Sequence, residues 1–221
     1  MARTYPLSLA QFWDLVAADN NSIKFTLGES RQFNVTGGGQ LIDASLGARL
    51  WNGEVGLVPK SHHSISEIES QIEVLLEAGA SFLAYDPRKK YPQSDPLGVT
   101  LGGSAVILAS VNANNRDIGL AGLPSRYVLT KGDLLSFSYL SSPTRYAMHR
   151  VVVGGAADAA GAISIEVTPP IRPGFTISTP VALGKPVMLA KIMPNSYKSS
   201  TGGAGKLSSG VSFTFSQSLR P

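Results

Sequence analysis

At 221 residues the chain can hold one large domain or two small ones. It is 43% hydrophobic and only 15% charged, with 23 glycines and 14 prolines, which excludes a disordered chain and suits a turn-rich β protein or one that buries surface in an assembly. There is no cysteine, which excludes disulfide staples, thiolate zinc sites and cysteine nucleophiles, and the net charge of +4 is a mild excess.

The first residues, Met1 to Pro6, have no long apolar run behind them, so no signal peptide is expected. No apolar stretch approaches the roughly 20 residues needed to span a bilayer, so no membrane insertion is expected. Leu7, Leu9, Phe12, Trp13, Leu15 and Val16 form an apolar segment of mixed spacing, either a short helix or an extended arm. Ile23 to Leu27 alternates apolar and polar residues as a half-buried strand does. Gly28-Glu29-Ser30 reads as a turn, Arg31 to Thr36 as a second strand, and Gly37-Gly38-Gly39 as a flexible loop or a wide hairpin tip. Leu46 to Leu50 and Trp51 to Val58 read as one or two further strands.

The clearest helix follows. Ser64-Ile65-Ser66-Glu67 fits a capping box. Ile65, Ile68, Ile72, Leu75 and Leu76 recur at helical spacing, and Gly79 is a natural stop. Glu67, Glu69, Glu73 and Glu77 lie mainly off that stripe and read as a solvated face. Ala80 to Tyr85 reads as a strand ending at Asp86-Pro87, and the proline-rich run to Pro96 reads as a connection with a boundary near its end.

Beyond it, Ala105 to Val111 reads as a buried strand and Asp117-Ile118-Gly119-Leu120 as the start of a loop. Lys131 to Tyr139, Arg145 to Val153 and Ile163 to Thr168 read as three strands, the first opened by a Gly-Asp turn. They suggest a small antiparallel barrel set inside a larger domain. Val187 to Ile192 would return the chain to the first domain. Ser196 to Gly210 reads as a mobile Ser/Gly/Lys loop, and Val211 to Ser216 as a closing strand. From Val167 to Pro221 there are six Lys or Arg and no acid. That segment either faces an acidic partner or carries spaced, solvated cations.

Tests for chemistry return little. Gly202-Gly203-Ala204-Gly205-Lys206 fails as a phosphate loop, because position 200 is Ser200 and Leu207 stands where the magnesium-binding hydroxyl belongs. His62 and His63 are adjacent, and His149 is the only other histidine, so a zinc site would need an improbable geometry. Their plainer reading is polar residues just before the helix. No serine lies in a G-x-S-x-G motif. Asp86 and Asp95 flank a basic run without a supporting pattern, and Asn34-Val35-Thr36 is a formal glycosylation sequon. Phe137, Tyr139 and Tyr146 could stack on bases or sugars if exposed. The span from Pro96 to Gly184 has six cations and four acids, a net of +2, too little for a nucleic-acid barrel.

The order of pieces carries a resemblance. A tryptophan strand (Leu50-Trp51-Asn52-Gly53-Glu54-Val55) precedes a capped helix and a strand ending Phe82-Leu83-Ala84-Tyr85-Asp86-Pro87. Then come Leu129-Thr130-Lys131-Gly132-Asp133-Leu134-Leu135-Ser136-Phe137, a return at Tyr146 to Val153, and a strand closing on Pro169-Pro170-Ile171-Arg172. A final strand pair rejoins the first part. From Leu7 to Phe215 this resembles the distal tail proteins of bacteriophages with long, flexible, non-contractile tails. The resemblance implies a mainly β chain: a tail-tube-like β-sandwich with one amphipathic helix (residues 1–95 plus 185–221) carrying an inserted small OB-like β-barrel (96–184).

It further implies a virion protein, assembled in the bacterial cytoplasm, whose six copies form a ring. In that family the ring joins the tail tube to the hub of the tip or baseplate, beside the tape-measure protein, and surrounds a channel that only passes DNA. The family carries no catalytic residues, cofactor or metal, so none is expected here. Lys198 and Lys206, in the acid-free C-terminal segment, are the candidates for partner or lumen contact. Two other readings stand beside it. A carbohydrate-binding β module for host-surface attachment would need exposed aromatics such as Tyr139 and Tyr146. A tail-associated hydrolase would need a constellation of carboxylates or histidines.

Overall fold

The computed structural model describes residues 4–18, 21–203, 205 and 207–220. A π-helical turn, Leu9–Trp13, runs into a short helix, α1 (Asp14–Ala17). Strands β1 (Ser22–Leu27), β2 (Arg31–Val35), β3 (Leu41–Ser45), β4 (Trp51–Gly56) and β5 (Lys60–Ser61) lead to the long helix α2 (His62–Leu75) and to β6 (Phe82–Ala84). After a 3-10 turn at Pro87–Lys89 come β7 (Ile107–Val111), β8 (Asp117–Ala121), β9 (Val128–Leu129), β10 (Leu134–Tyr139), β11 (Arg145–Val153), β12 (Gly155–Ala156), β13 (Ile163–Thr168) and β14 (Val181–Ala182). The chain closes with β15 (Met188–Ile192), β16 (Leu207–Ser208) and β17 (Ser212–Gln217). It is mainly β, its strands pair antiparallel within each sheet, and its one long helix has 14 residues.

The first large sheet runs β1-β4-β17-β15-β6. The last strands of the chain therefore sit between two strands of its first part. β4 and β17 alternate buried and exposed residues, as a sheet with one covered face must. On the covered face, Phe12, Trp13, Phe25, Phe82, Phe213 and Phe215 form one aromatic cluster. Phe12 meets Phe82 edge-on at 5.0 Å, and Trp13 and Phe25 each meet Phe215 at 5.2 Å, arrangements favoured by the ring quadrupoles. Helix α2 lays Ile65, Ile68, Ile72 and Leu75 on this core. The glycine of β4, Gly53, faces Phe215 across the strand pair, and the phenyl ring occupies the space a Cβ would need.

The second sheet runs β14-β10-β11-β13-β8-β7 over its own core, which includes Leu108, Ile118, Leu135, Phe137, Val151, Ile165 and Val167. Its two ends meet. Leu108 N–H donates to the Thr179 carbonyl at 2.9 Å, and Val181 N–H donates to the Val106 carbonyl at 2.8 Å. Strand β10 is buried on both faces. Leu135, Phe137 and Tyr139 point into this second core, while Leu134, with Met148 of β11, belongs to the first. The Gly-Asp turn that opens β10 needs its glycine, since Gly132 has φ 94°. Asp133 then accepts from Thr130 N and Oγ1 and from Gln93 N, tying the proline-rich connection to the sheet.

Several expectations change. Helix α2 begins earlier than the capping box at Ser64 implied. Ser61 is the cap, accepting from Ser64 N at 3.3 Å, because it ends β5 with an extended backbone. Both adjacent histidines therefore lie in the first helical turn. Asp117 to Leu120 is strand β8: Gly119 lies where the partner strand bulges near Ser110, leaving no room for a side chain. The strand expected at 46–50 is instead β3, at Leu41–Ser45. Gly53→Ala should cost about 1–3 kcal/mol, since the Phe215 ring is itself hemmed in by Trp13 and Phe25; urea denaturation of the variant against the parent measures it.

Candidate interaction surfaces

The most unusual element is the hairpin β2–β3. Its five residue pairs are exposed along their whole length. Residues directly opposite in an antiparallel pair share a face. Phe33, Val35 and Leu41 thus lie on one face at 58–66% exposure, and Ile42 lies on the other at 56%. Arg31 pairs with Glu29 and Asp43 at 3.6 and 3.7 Å near the root. Two strands with no covered face are at best marginally stable in water.

A groove of about 330 Å³ opens between the hairpin root and the segment after β13. Ser45, Gly47 and Ala48 form one wall and Pro169 to Pro173 the other, with Arg49, Arg116 and Arg172 around it. Arg49 Nε donates to the Gly28 carbonyl at 2.9 Å, and Arg172 Nη2 reaches the Arg49 carbonyl at 3.5 Å. No carboxylate pairs with any of the three among the described residues.

Behind the groove, strand β11 carries buried His149 and half-buried Arg150. His149 stacks on Phe137, ring centroids 5.5 Å apart, and its Nδ1 lies 2.7 Å from the Pro169 carbonyl. A carbonyl only accepts, so Nδ1 holds the proton, and Nε2 is left without a hydrogen-bond partner. Burial is the main cause that pushes the imidazole down to about 4, and nearby Arg172 adds to it against the Pro169 carbonyl. The Arg150 guanidinium lies 4.8 Å above the Trp51 ring, and burial lowers its pKa from the ordinary value. The Trp51 indole N–H donates to the Met148 carbonyl at 2.8 Å.

The Ser/Gly/Lys loop is held along much of its course. Glu69 of α2 accepts from Ser200 N at 2.7 Å, Ser200 Oγ at 3.2 Å and Tyr197 Oη at 3.1 Å. Burial and Glu69 together push the Tyr197 phenol up to about 12. His62 places its two ring nitrogens 2.5 Å from Ser208 Oγ and the Gly205 carbonyl. Lys198 is exposed, its backbone bonded both ways to Ser212. Lys206 lies outside the described residues.

Other sequence candidates fall into the framework. Asp86 is gripped by Arg88, whose Nε and Nη2 donate to it at 3.0 and 2.9 Å. Asp95 accepts from Leu101 N at 2.8 Å. Phe137 and Tyr139 are buried in the second core and Tyr146 is half-buried. No group of three potential metal ligands occurs among the described residues, and no described helix is long and apolar enough to cross a membrane. The first strand of the hairpin and its glycine tip are legible in the sequence; its exposure is not, because the alternation looks like that of a half-buried strand. The arginines were hidden by distance, Arg49 and Arg172 being 123 positions apart.

Two measurements follow from these contacts. Above pH 6.5 the His149 imidazole is neutral in both folded and unfolded chains, and stability is at its full value. As pH falls from 6.5 towards 4 the unfolded chain takes up a proton that the folded one refuses, so about 3 kcal/mol is lost and the loss then levels off. Denaturation across that range should show His149→Gln losing less than the parent. Glu69→Ala should release residues 197–200, and tryptic cleavage after Lys198 should quicken with no change in the two cores. Searches against family models and against curated proteins find no match for this chain.

Proposed function

We propose that this chain is a structural ring component of a bacteriophage tail, of the distal tail kind, in which six copies join the tail tube to the hub of the tip or baseplate. The bare hairpin carries the reading. A hairpin that buries nothing in its own chain, yet bears Phe33, Val35, Leu41 and Ile42, suits a surface that another subunit covers.

Other features support it. The strand order of the first sheet suits a tail-tube-like domain of residues 1–95 plus 185–221, with 96–184 inserted between its strands. The meeting ends of the second sheet suit a small OB-like barrel. The open face of the first sheet presents Lys24, Thr26, Asn52, Glu54 and Thr214, a mixed polar surface around a shallow groove. Such a face suits a channel wall that DNA passes without sticking. Lys198 remains a candidate for partner or lumen contact on this reading.

Light scattering and negative-stain imaging of the purified chain test it. A sixfold particle with a central hole is the expected result. Phe33→Ser with Leu41→Ser should shift the particle towards monomer while changing monomer stability by no more than about 0.5 kcal/mol, as substitutions on an exposed surface do. A chain that stays monomeric and fails to co-assemble with tail tube and hub proteins would overturn the proposal.

A further inference from the structure

Helix α2 and the two residues after it carry more carboxylates than the contacts with Tyr197 and Ser200 use. Residues 62–77 contain four glutamates and no lysine or arginine. Glu69 is engaged by Tyr197 and Ser200, but Glu67, Glu73 and Glu77 are exposed. Glu73 lies in the last turn of α2, and Glu77 lies just past the capping residue Leu76, at the helix end whose dipole favours cations. Between them in sequence Leu76 is 47% exposed. The arrangement offends a local rule, a pattern that belongs to surfaces with a use beyond the fold.

The groove beside the hairpin root has the opposite character. It gathers Arg49, Arg116 and Arg172 around a wall of Ala48, Pro170 and Pro173. The arginines have no acidic partner among the described residues. Within one chain the two surfaces do not meet. The helix packs on the first core beside β5 and β16, and the groove lies between the hairpin root and the Pro169–Pro173 segment.

We infer that the arginine groove of one copy receives the C-terminal end of α2 from the next copy, with Leu76 against the proline wall and Glu73 and Glu77 on the guanidinium groups. This contact rests on the ring reading above and names the surfaces that build it. Guanidinium groups suit carboxylates through paired N–H donors. A groove that receives a helix can repeat head-to-tail around an axis, which is the kind of contact the ring reading requires. The charges steer and register the subunits, so the contact weakens as salt screens them.

The test is a charge exchange in the full chain, read by sedimentation velocity at low and high salt. Arg116→Glu with Arg172→Glu makes the groove acidic, and Glu73→Lys with Glu77→Lys makes the helix end basic. Each pair alone should weaken self-association about a hundredfold. An equal mixture of the two should regain it, since each groove then finds a complementary helix on the other variant. Arg116→Gln with Arg172→Gln, a milder change, should weaken association about tenfold, and circular dichroism checks that each variant is folded. Variants that assemble like the parent would overturn this contact and leave the ring reading standing on other surfaces. A parent that is monomeric at every concentration and at low salt would also overturn it, whereas the ring reading then falls only if co-assembly with tail tube and hub proteins fails as well.

Discussion

The structure depends on one strand placed between two cores. β11 pairs with β10 and β13 in the second sheet, yet Met148 is buried in the first core. Trp51, at the start of β4, holds that placement from the other side. Its indole N–H reaches the Met148 carbonyl, and its ring lies under the Arg150 guanidinium. An indole offers a large apolar body and a single donor. Both are used here, and a buried N–H left without its acceptor would carry a desolvation penalty. The spatial relation of the two sheets is therefore tied to this contact and to the bond from Val187 N to Ser136 Oγ at 2.8 Å.

The same strand reaches the surface groove. Between Met148 and Arg150 on β11, His149 turns to the opposite face and bonds the Pro169 carbonyl. That proline begins the wall that stands against Arg49 and Ala48. Sliding β11 by one residue would turn Met148 and Arg150 away from Trp51 and take His149 from Pro169, because side chains alternate along a strand. The register that joins the cores thus also sets the groove. The unpartnered Nε2 of His149 is the cost of this arrangement at low pH, and the Arg172 charge that deepens it belongs to the groove itself.

What could be read in the sequence was what depends on neighbours along the chain. Alternation located β1 and β17, and the isoleucine spacing located α2, since both patterns answer to a nearby apolar core. The start of α2 was misplaced because Ser61 and Ser64 both have the capping hydroxyl, and only the extended backbone at Ser61 chooses between them. β8 reads as a loop in the sequence because Gly119 breaks its pattern, while the bulge that explains the glycine lies on β7. The Ser/Gly/Lys loop looked free because Glu69, which holds it, stands more than a hundred positions away. None of the groove arginines had any local mark, since long-range placement by the two cores brings them together.

Three further departures from local rules lie at the surface. Phe33, Val35 and Leu41 alternate as though half-buried and are bare. Glu73 and Glu77 crowd the wrong end of a helix. Arg49, Arg116 and Arg172 gather without an ion-pair partner among the described residues. A sequence under selection for a folded monomer alone would have little reason to keep any of the three, since exposed apolar strands invite aggregation and unpaired like charges repel. Inside the molecule the same chain is consistent: Gly53 yields to Phe215, Asp86 is gripped by Arg88, and Glu69 is fully used. These three departures lie at the surface, where, on the ring reading proposed above, neighbouring subunits would supply part of the folding environment.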